Sequence, residues 1–261
     1  MINGVEVCLV VNDSEVALRL YEHIFEAADA EVFKFEDQSP EAVFLIYNGR
    51  YRLVNQKPKH RWFAPVVGAS RPIWVNIAVP DIQKTFDTAL AAGCDEIQPI
   101  REIPEIGVKT AVIEDPFGHV WMLQQFGGGV IGTGLFMVVP DSIAVVKLYE
   151  QIFDVDLVDV SGLDKGQNEA IFNIYNGRFH LLDENPAENI LAPRKGDTRP
   201  IWASIAVPDI QKTLDAAINA GCEQISPIGE LLPGSGVQNA IFSDPFGYIW
   251  MILQIDTVIS T

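Results

Sequence analysis

The chain has 261 residues, 48% of them hydrophobic and 20% charged, which is the profile of a globular protein with room for one large or two ordinary domains. Eighteen Lys and Arg against 35 Asp and Glu leave a formal charge of -17, so nucleic acid and anionic membrane surfaces are poor partners. Apolar runs are strand-sized, too short to span a bilayer, no basic leader precedes the patterned sequence, and three scattered cysteines make no disulfide framework. A reduced, cytoplasmic protein is expected.

Val5–Val11 reads as a strand, and Asp13 opens a helix with Val16, Leu20, Ile24 and Phe25 as its apolar positions. Short strands follow, joined by a hairpin at Asn48-Gly49, a pair suited to a type I′ turn. A second strand-then-helix begins with Ile73–Val79. Its helix starts at Asp81, buries Ile82, Phe86, Ala89 and Leu90, and stops at Gly93. Val108–Ile113, the type I turn Asp115-Pro116-Phe117-Gly118 and the strand Val120–Gln125 complete it. Each half is thus a βαβββ unit. The whole arrangement then repeats: RPIWVNIAVPDIQK at 71–84 returns as RPIWASIAVPDIQK at 199–212, and Asp115-Pro116-Phe117-Gly118 returns as Asp244-Pro245-Phe246-Gly247. The seam falls at Gly127-Gly128-Gly129, giving domains 1–127 and 128–261.

A duplicated βαβββ unit whose Asp-Pro-Phe-Gly leads into an aromatic-rich last strand resembles the vicinal oxygen chelate superfamily, which includes glyoxalase I, bleomycin-resistance proteins and extradiol dioxygenases. The wording DPFGHVWMLQ and VPDIQKTFDTALAAGC is most similar to its PhnB-like glyoxalase branch. The resemblance implies an α+β fold of four βαβββ units in two tandem domains, with cupped mixed sheets and helices outside. It also implies either a monomer with an internal pseudo-dimer or a homodimer. In metal-using members the ligands come from the first and last strands of each unit. Those positions here hold Glu6, Arg52, Trp74 and Met122 in one copy, and Gly134, His180, Trp202 and Met251 in the other. A catalytic metal needs about three N, O or S ligands, so no cofactor is expected and a divalent metal is disfavoured. None of the four histidines has a histidine at its repeat position: His23, His60, His119 and His180 face Gln151, Glu188, Tyr248 and Arg52.

Strand alternation assigns the cup-facing residues. The first cup takes Glu6, Cys8, Arg52, Trp74, Asn76, Met122 and Gln124, an apolar wall with a few polar groups, as small-molecule sites have. A second, less polar cup takes Phe136, His180, Trp202, Ser204 and Met251. The alternative reading is a filled core in which Glu6 and Arg52 pair with each other. Trp121 and Trp250, on the opposite parity, belong beneath the helices, Cys94 and Cys222 are buried small residues, and the run Lys57–Trp62 is a solvated loop. Three functions fit this reading: metal-independent binding or transformation of a small organic molecule, sequestration of a cationic drug, and a metal-dependent lyase or dioxygenase, the last opposed by the ligand positions. The residues assign no reaction.

Overall fold

The computed structural model describes residues 4–34, 40–58, 62–67, 73–164, 166–188, 190–194, 197, 201–231 and 234–255. His60 and its neighbours Lys59 and Arg61 lie outside them, as do the Arg-Pro pairs at 71–72 and 199–200. Four βαβββ modules follow one another. The first is β1 (Gly4–Val11), α1 (Ser14–Phe25), β2 (Ala28–Lys34), β3 (Pro40–Ile46) and β4 (Gly49–Asn55). The second is β5 (Ile73–Ala78), α2 (Ile82–Ala91), β6 (Asp95–Ile103), β7 (Val108–Glu114) and β8 (Val120–Phe126). The third is β9 (Gly132–Val139), α3 (Ser142–Ile152), β10 (Val155–Val160), β11 (Glu169–Ile174) and β12 (Gly177–Asp183). The last is β13 (Ile201–Ala206), α4 (Ile210–Asn219), β14 (Glu223–Glu230), β15 (Val237–Ser243) and β16 (Ile249–Ile255).

All four helices start the same way. Asp13, Asp81, Asp141 and Asp209 are extended N-caps whose carboxylates accept first-turn backbone N–H groups, satisfying donors that a helix start leaves open. The face that α1 buries differs from the expected one. Ala17, Leu18, Tyr21, Ile24 and Phe25 are buried while Val16 is exposed. Val16 stands five residues from Tyr21, about 140° around the helix at 3.6 residues per turn, so it points away. On α2, Ile82, Phe86 and Ala89 are buried as expected, whereas Leu90 is only half-buried and Thr85 is buried in addition; Gly93 closes the helix at φ 96° with Cys94 N–H bonded back to the Ala89 carbonyl.

Each module forms a four-stranded mixed array. One compact unit is Val7–Phe136, and the other comprises residues 4–6 with the described residues from 137 onward. Within Val7–Phe136, β1-β4-β3-β2 lie in one sheet and β5-β8-β7-β6 in the other. The two modules of one copy therefore do not share a sheet; they share their helix sides. Tyr21 and Phe25 of α1 bring their rings to 5.1 and 4.5 Å from that of Trp121 on β8, and Trp121 is fully buried. The other unit repeats this with Tyr149 and Phe153 against Trp250 at 4.9 and 5.2 Å. The outer strands β2 and β6 are exposed nearly throughout. Register shifts interrupt their pairing with β3 and β7, a bulged and charged design that blunts edge-to-edge association.

The first hairpin turns one residue earlier than expected. Ile46 pairs with Gly49, so the turn is Tyr47-Asn48, and Tyr47 takes the positive φ of 51°. Gly49 is needed for close approach instead, because a Cβ there would collide with the Thr133 hydroxyl. Gly177 meets the same constraint in the other unit, against Val5, where Val5 N–H also donates to Asn176 Oδ1 at 2.9 Å.

Candidate functional site

The Asp-Pro-Phe-Gly turns come first, since they fix the last strand of each copy. Gly118 N–H bonds the Asp115 carbonyl at 2.9 Å, closing the expected turn. The Asp115 side chain does more than initiate it. Oδ1 accepts from Phe117 N–H and His119 N–H at 2.9 and 3.0 Å, while Oδ2 accepts from the Tyr21 hydroxyl at 2.7 Å and the Trp121 indole at 2.9 Å. Asp244 does the same with Phe246, Tyr248, Tyr149 and Trp250. Burial holds the Asp244 carboxyl above its usual range, and burial together with the neighbouring carboxylate keeps the Tyr21 and Tyr149 hydroxyls protonated as donors. Sequence reasoning missed this anchor. Its signal was the Asp-to-Trp spacing of six residues in both copies, with a tyrosine at matching helix positions.

The histidines prove to be structural or peripheral where they are described. His119 is buried and its Nε2 bonds the Val10 carbonyl at 2.9 Å, so that nitrogen carries the proton. Tyr248, its repeat counterpart, donates its hydroxyl to the Val138 carbonyl at 2.6 Å. His23 is exposed on α1. His180 stands on β12 with Nε2 3.2 Å from Glu169 Oε2, and that contact lowers the Glu169 pKa. Among the described residues no three of His, Cys, Asp and Glu are grouped to hold a metal ion. The donor set at the positions where the resemblance implies ligands does not fit a catalytic divalent metal.

The seven residues expected in the first cup divide between the two sheets. Glu6 and Cys8, both buried, sit on β1, and Arg52 on β4. Trp74, Asn76, Met122 and Gln124 sit on β5 and β8. Two modules that meet through their helix sides cannot also close one cup with their opposite faces. Arg52 has a structural partner: its guanidinium lies 3.3 Å from Glu41, and Lys57 approaches the same carboxylate at 3.6 Å. Burial raises the Glu41 pKa, and the two cations oppose that rise. Lys57 also lies 5.7 Å over the Trp62 ring, so the described part of this loop is anchored rather than merely solvated.

Phe136 was expected in the second cup. Instead its ring stacks on Trp74 at 4.4 Å with planes 12° apart. The remaining members of that second set, Trp202, Ser204 and Met251, are buried.

What survives as a site is the row on β5, β8 and β7 within Val7–Phe136. Alternation holds on β5: Val75 and Ile77 are fully buried, whereas Trp74 and Asn76 are half-buried on the other face. The ladder sets Asn76 beside Met122 and Ala78 beside Gln124, then Met122 beside Val112 and Gln124 beside Thr110. Glu114, buried opposite Val120, ends the row on β7; parity counted from the turn could have found it. Trp74, Asn76, Met122, Gln124 and Thr110 all keep partial access. Two polar atoms in this row, Trp74 Nε1 and Asn76 Oδ1, are buried and have no hydrogen-bond partner among the described residues. A buried donor or acceptor left unmade costs about 1–3 kcal/mol, so each such atom calls for a water, an ion or a ligand to meet it. The row thus offers one unmet donor and one unmet acceptor beside a flat aromatic wall and a thioether, with the Gln124 amide and the Thr110 hydroxyl further along it. Its one carboxylate is that of Glu114. The three cysteines are buried thiols that form no disulfide among the described residues. Burial and neighbouring carboxylates push the Cys94 thiol to about 12, and burial with Asp244 pushes Cys222 equally far, as expected of inert core residues.

Residues 133–252 match the family model of the Glyoxalase/Bleomycin resistance protein/Dioxygenase superfamily. Maize glyoxalase I superposes with a TM-score of 0.72 at 16% identity, covering 97% of this chain and 93% of that one, which shows the tandem fold. Uncharacterised proteins of Mycobacterium bovis and Mycobacterium tuberculosis are each 27% identical over 121 residues. Those matches cover 45% of this chain and 79% and 71% of the relatives. No helix among the described residues is long and apolar enough to cross a membrane.

Proposed function

We propose that the whole chain is a tandem glyoxalase-superfamily protein, of the PhnB-like branch, that binds a small organic molecule on the β5–β8–β7 face without a metal. One observation carries the reading: among the described residues, Trp74 Nε1 and Asn76 Oδ1 are buried without a hydrogen-bond partner in a half-buried row. Few convergent polar groups in an apolar wall are the usual makeup of a ligand site. The repeat supports the location, since the copied positions Trp202 and Ser204 are buried. The metal-free character rests on the donor set: of the eight positions where the resemblance implies ligands, only Glu6 and His180 carry a carboxylate or an imidazole. A cytoplasmic location rests on the chain's three cysteines, too few and too scattered for a disulfide framework.

Thermal-shift screening of neutral and cationic aromatic compounds tests it. A ligand at 100 Kd adds about 2.7 kcal/mol, worth several degrees in Tm at roughly 2–4 °C per kcal/mol for a chain of this size. The shift should shrink in Trp74→Ala and persist in Trp202→Ala. Mass spectrometry of the recovered ligand then separates sequestration, which returns it unchanged, from turnover. Loss of the shift in Trp202→Ala alone would overturn the site.

A further inference from the structure

The polarity of the row narrows the ligand further, on the premise that the site just proposed is correct. Trp74 Nε1 can only donate and Asn76 Oδ1 can only accept. Both are buried, neither has a partner, and they lie on one face two residues apart along β5. A carboxylate would serve the indole but leave the amide oxygen unmet, and the charge of -17 repels anions. An ammonium group would do the reverse. A hydrocarbon would leave both unmet. We propose that the site takes a neutral planar amide, a primary carboxamide or lactam on an aromatic body. Its carbonyl accepts from Trp74 Nε1 and its N–H donates to Asn76 Oδ1. The flat body suits the wall made by the Trp74–Phe136 stack, with the Met122 thioether alongside.

The test uses the full chain and three matched probes: 2-naphthamide, its acceptor-only analogue methyl 2-naphthoate, and anionic 2-naphthoate. Indole N–H resonances are followed by 15N NMR, with the Trp74 signal identified by its loss in Trp74→Phe. 2-Naphthamide should move that signal and bind most tightly of the three. Trp74→Phe and Asn76→Leu should each weaken it about tenfold, the effect of one hydrogen bond. Methyl 2-naphthoate should respond to Trp74→Phe but not to Asn76→Leu. Equal binding of amide and ester at the Trp74 signal, with no effect of Asn76→Leu, would overturn the amide assignment while leaving the site standing. Binding that moves only the Trp202 signal would overturn the site as well. Failure of 2-naphthamide to bind at millimolar concentration would overturn the amide assignment.

Discussion

Replacing Asp115 by Ala should be among the most damaging single changes in Val7–Phe136, although it touches no ligand. The carboxylate is 2% exposed and accepts four hydrogen bonds, two from the turn backbone and two from the Tyr21 hydroxyl and Trp121 indole. Alanine leaves the hydroxyl and the indole buried without an acceptor, at about 1–3 kcal/mol each, and removes the two turn bonds. A total of about 3–5 kcal/mol follows, near the upper end for one substitution. Tyr21→Phe removes one donor only. It leaves the carboxylate three partners and keeps the ring against Phe44 and Trp121, so about 1–2 kcal/mol is expected. Urea unfolding of both variants and of the double variant, followed by far-UV circular dichroism, should give a coupling energy of about 1–2 kcal/mol between the positions. An Asp115→Ala loss below about 1 kcal/mol, or one equal to that of Tyr21→Phe, would refute the claim that the carboxylate joins helix to strand.

Two further outcomes follow from the buried groups. In native protein at pH 8, a thiol reagent should label none of the three cysteines faster than the protein opens, whereas urea should release all three; rapid labelling of Cys94 or Cys222 would contradict thiols held near 12 by burial. Asp183 is held below the usual carboxylate pKa against its burial by the Ser142, Gly166 and Asn168 N–H groups. A depressed folded-state pKa contributes stability that is present above the unfolded pKa of about 3.9 and is lost as pH falls through the folded value. The gap in urea midpoint between the parent and Asp183→Asn should therefore be wide at pH 7 and shrink below pH 3.5; a constant gap would show that the carboxylate's charge is not what matters.

Local features were legible in the sequence because local physics determines them. The aspartate caps, the helix stop at Gly93 and the turn at Asp115 each depend on neighbours within a few residues. The parity that put Trp121 beneath a helix and Trp74 on the opposite face needed only the alternation of a strand. Partnership between strands was not legible. Parity says which face Glu6 and Trp74 occupy, but two copies with nearly the same strands offer each module equivalent partners, and nothing local chooses among them. Glu6, Cys8 and Arg52 were accordingly grouped with Trp74, from which the sheet topology separates them, and Phe136 was assigned away from the ring on which it stacks. The Arg52–Glu41 pair was hidden for a related reason. Its register depends on the turn at Tyr47-Asn48, and the Asn-Gly pair pointed one residue further on.

A ligand should meet the β5–β8 face rather than its repeat. Two of the chain's four methionines report on this, Met122 beside Asn76 and Met251 beside Ser204. In protein labelled with 13C at the methionine methyls, titration with the compound giving the largest thermal shift should move the Met122 resonance in a saturable way and leave Met251 in place. A saturable shift of Met251 with Met122 unmoved would place the ligand on the repeat instead.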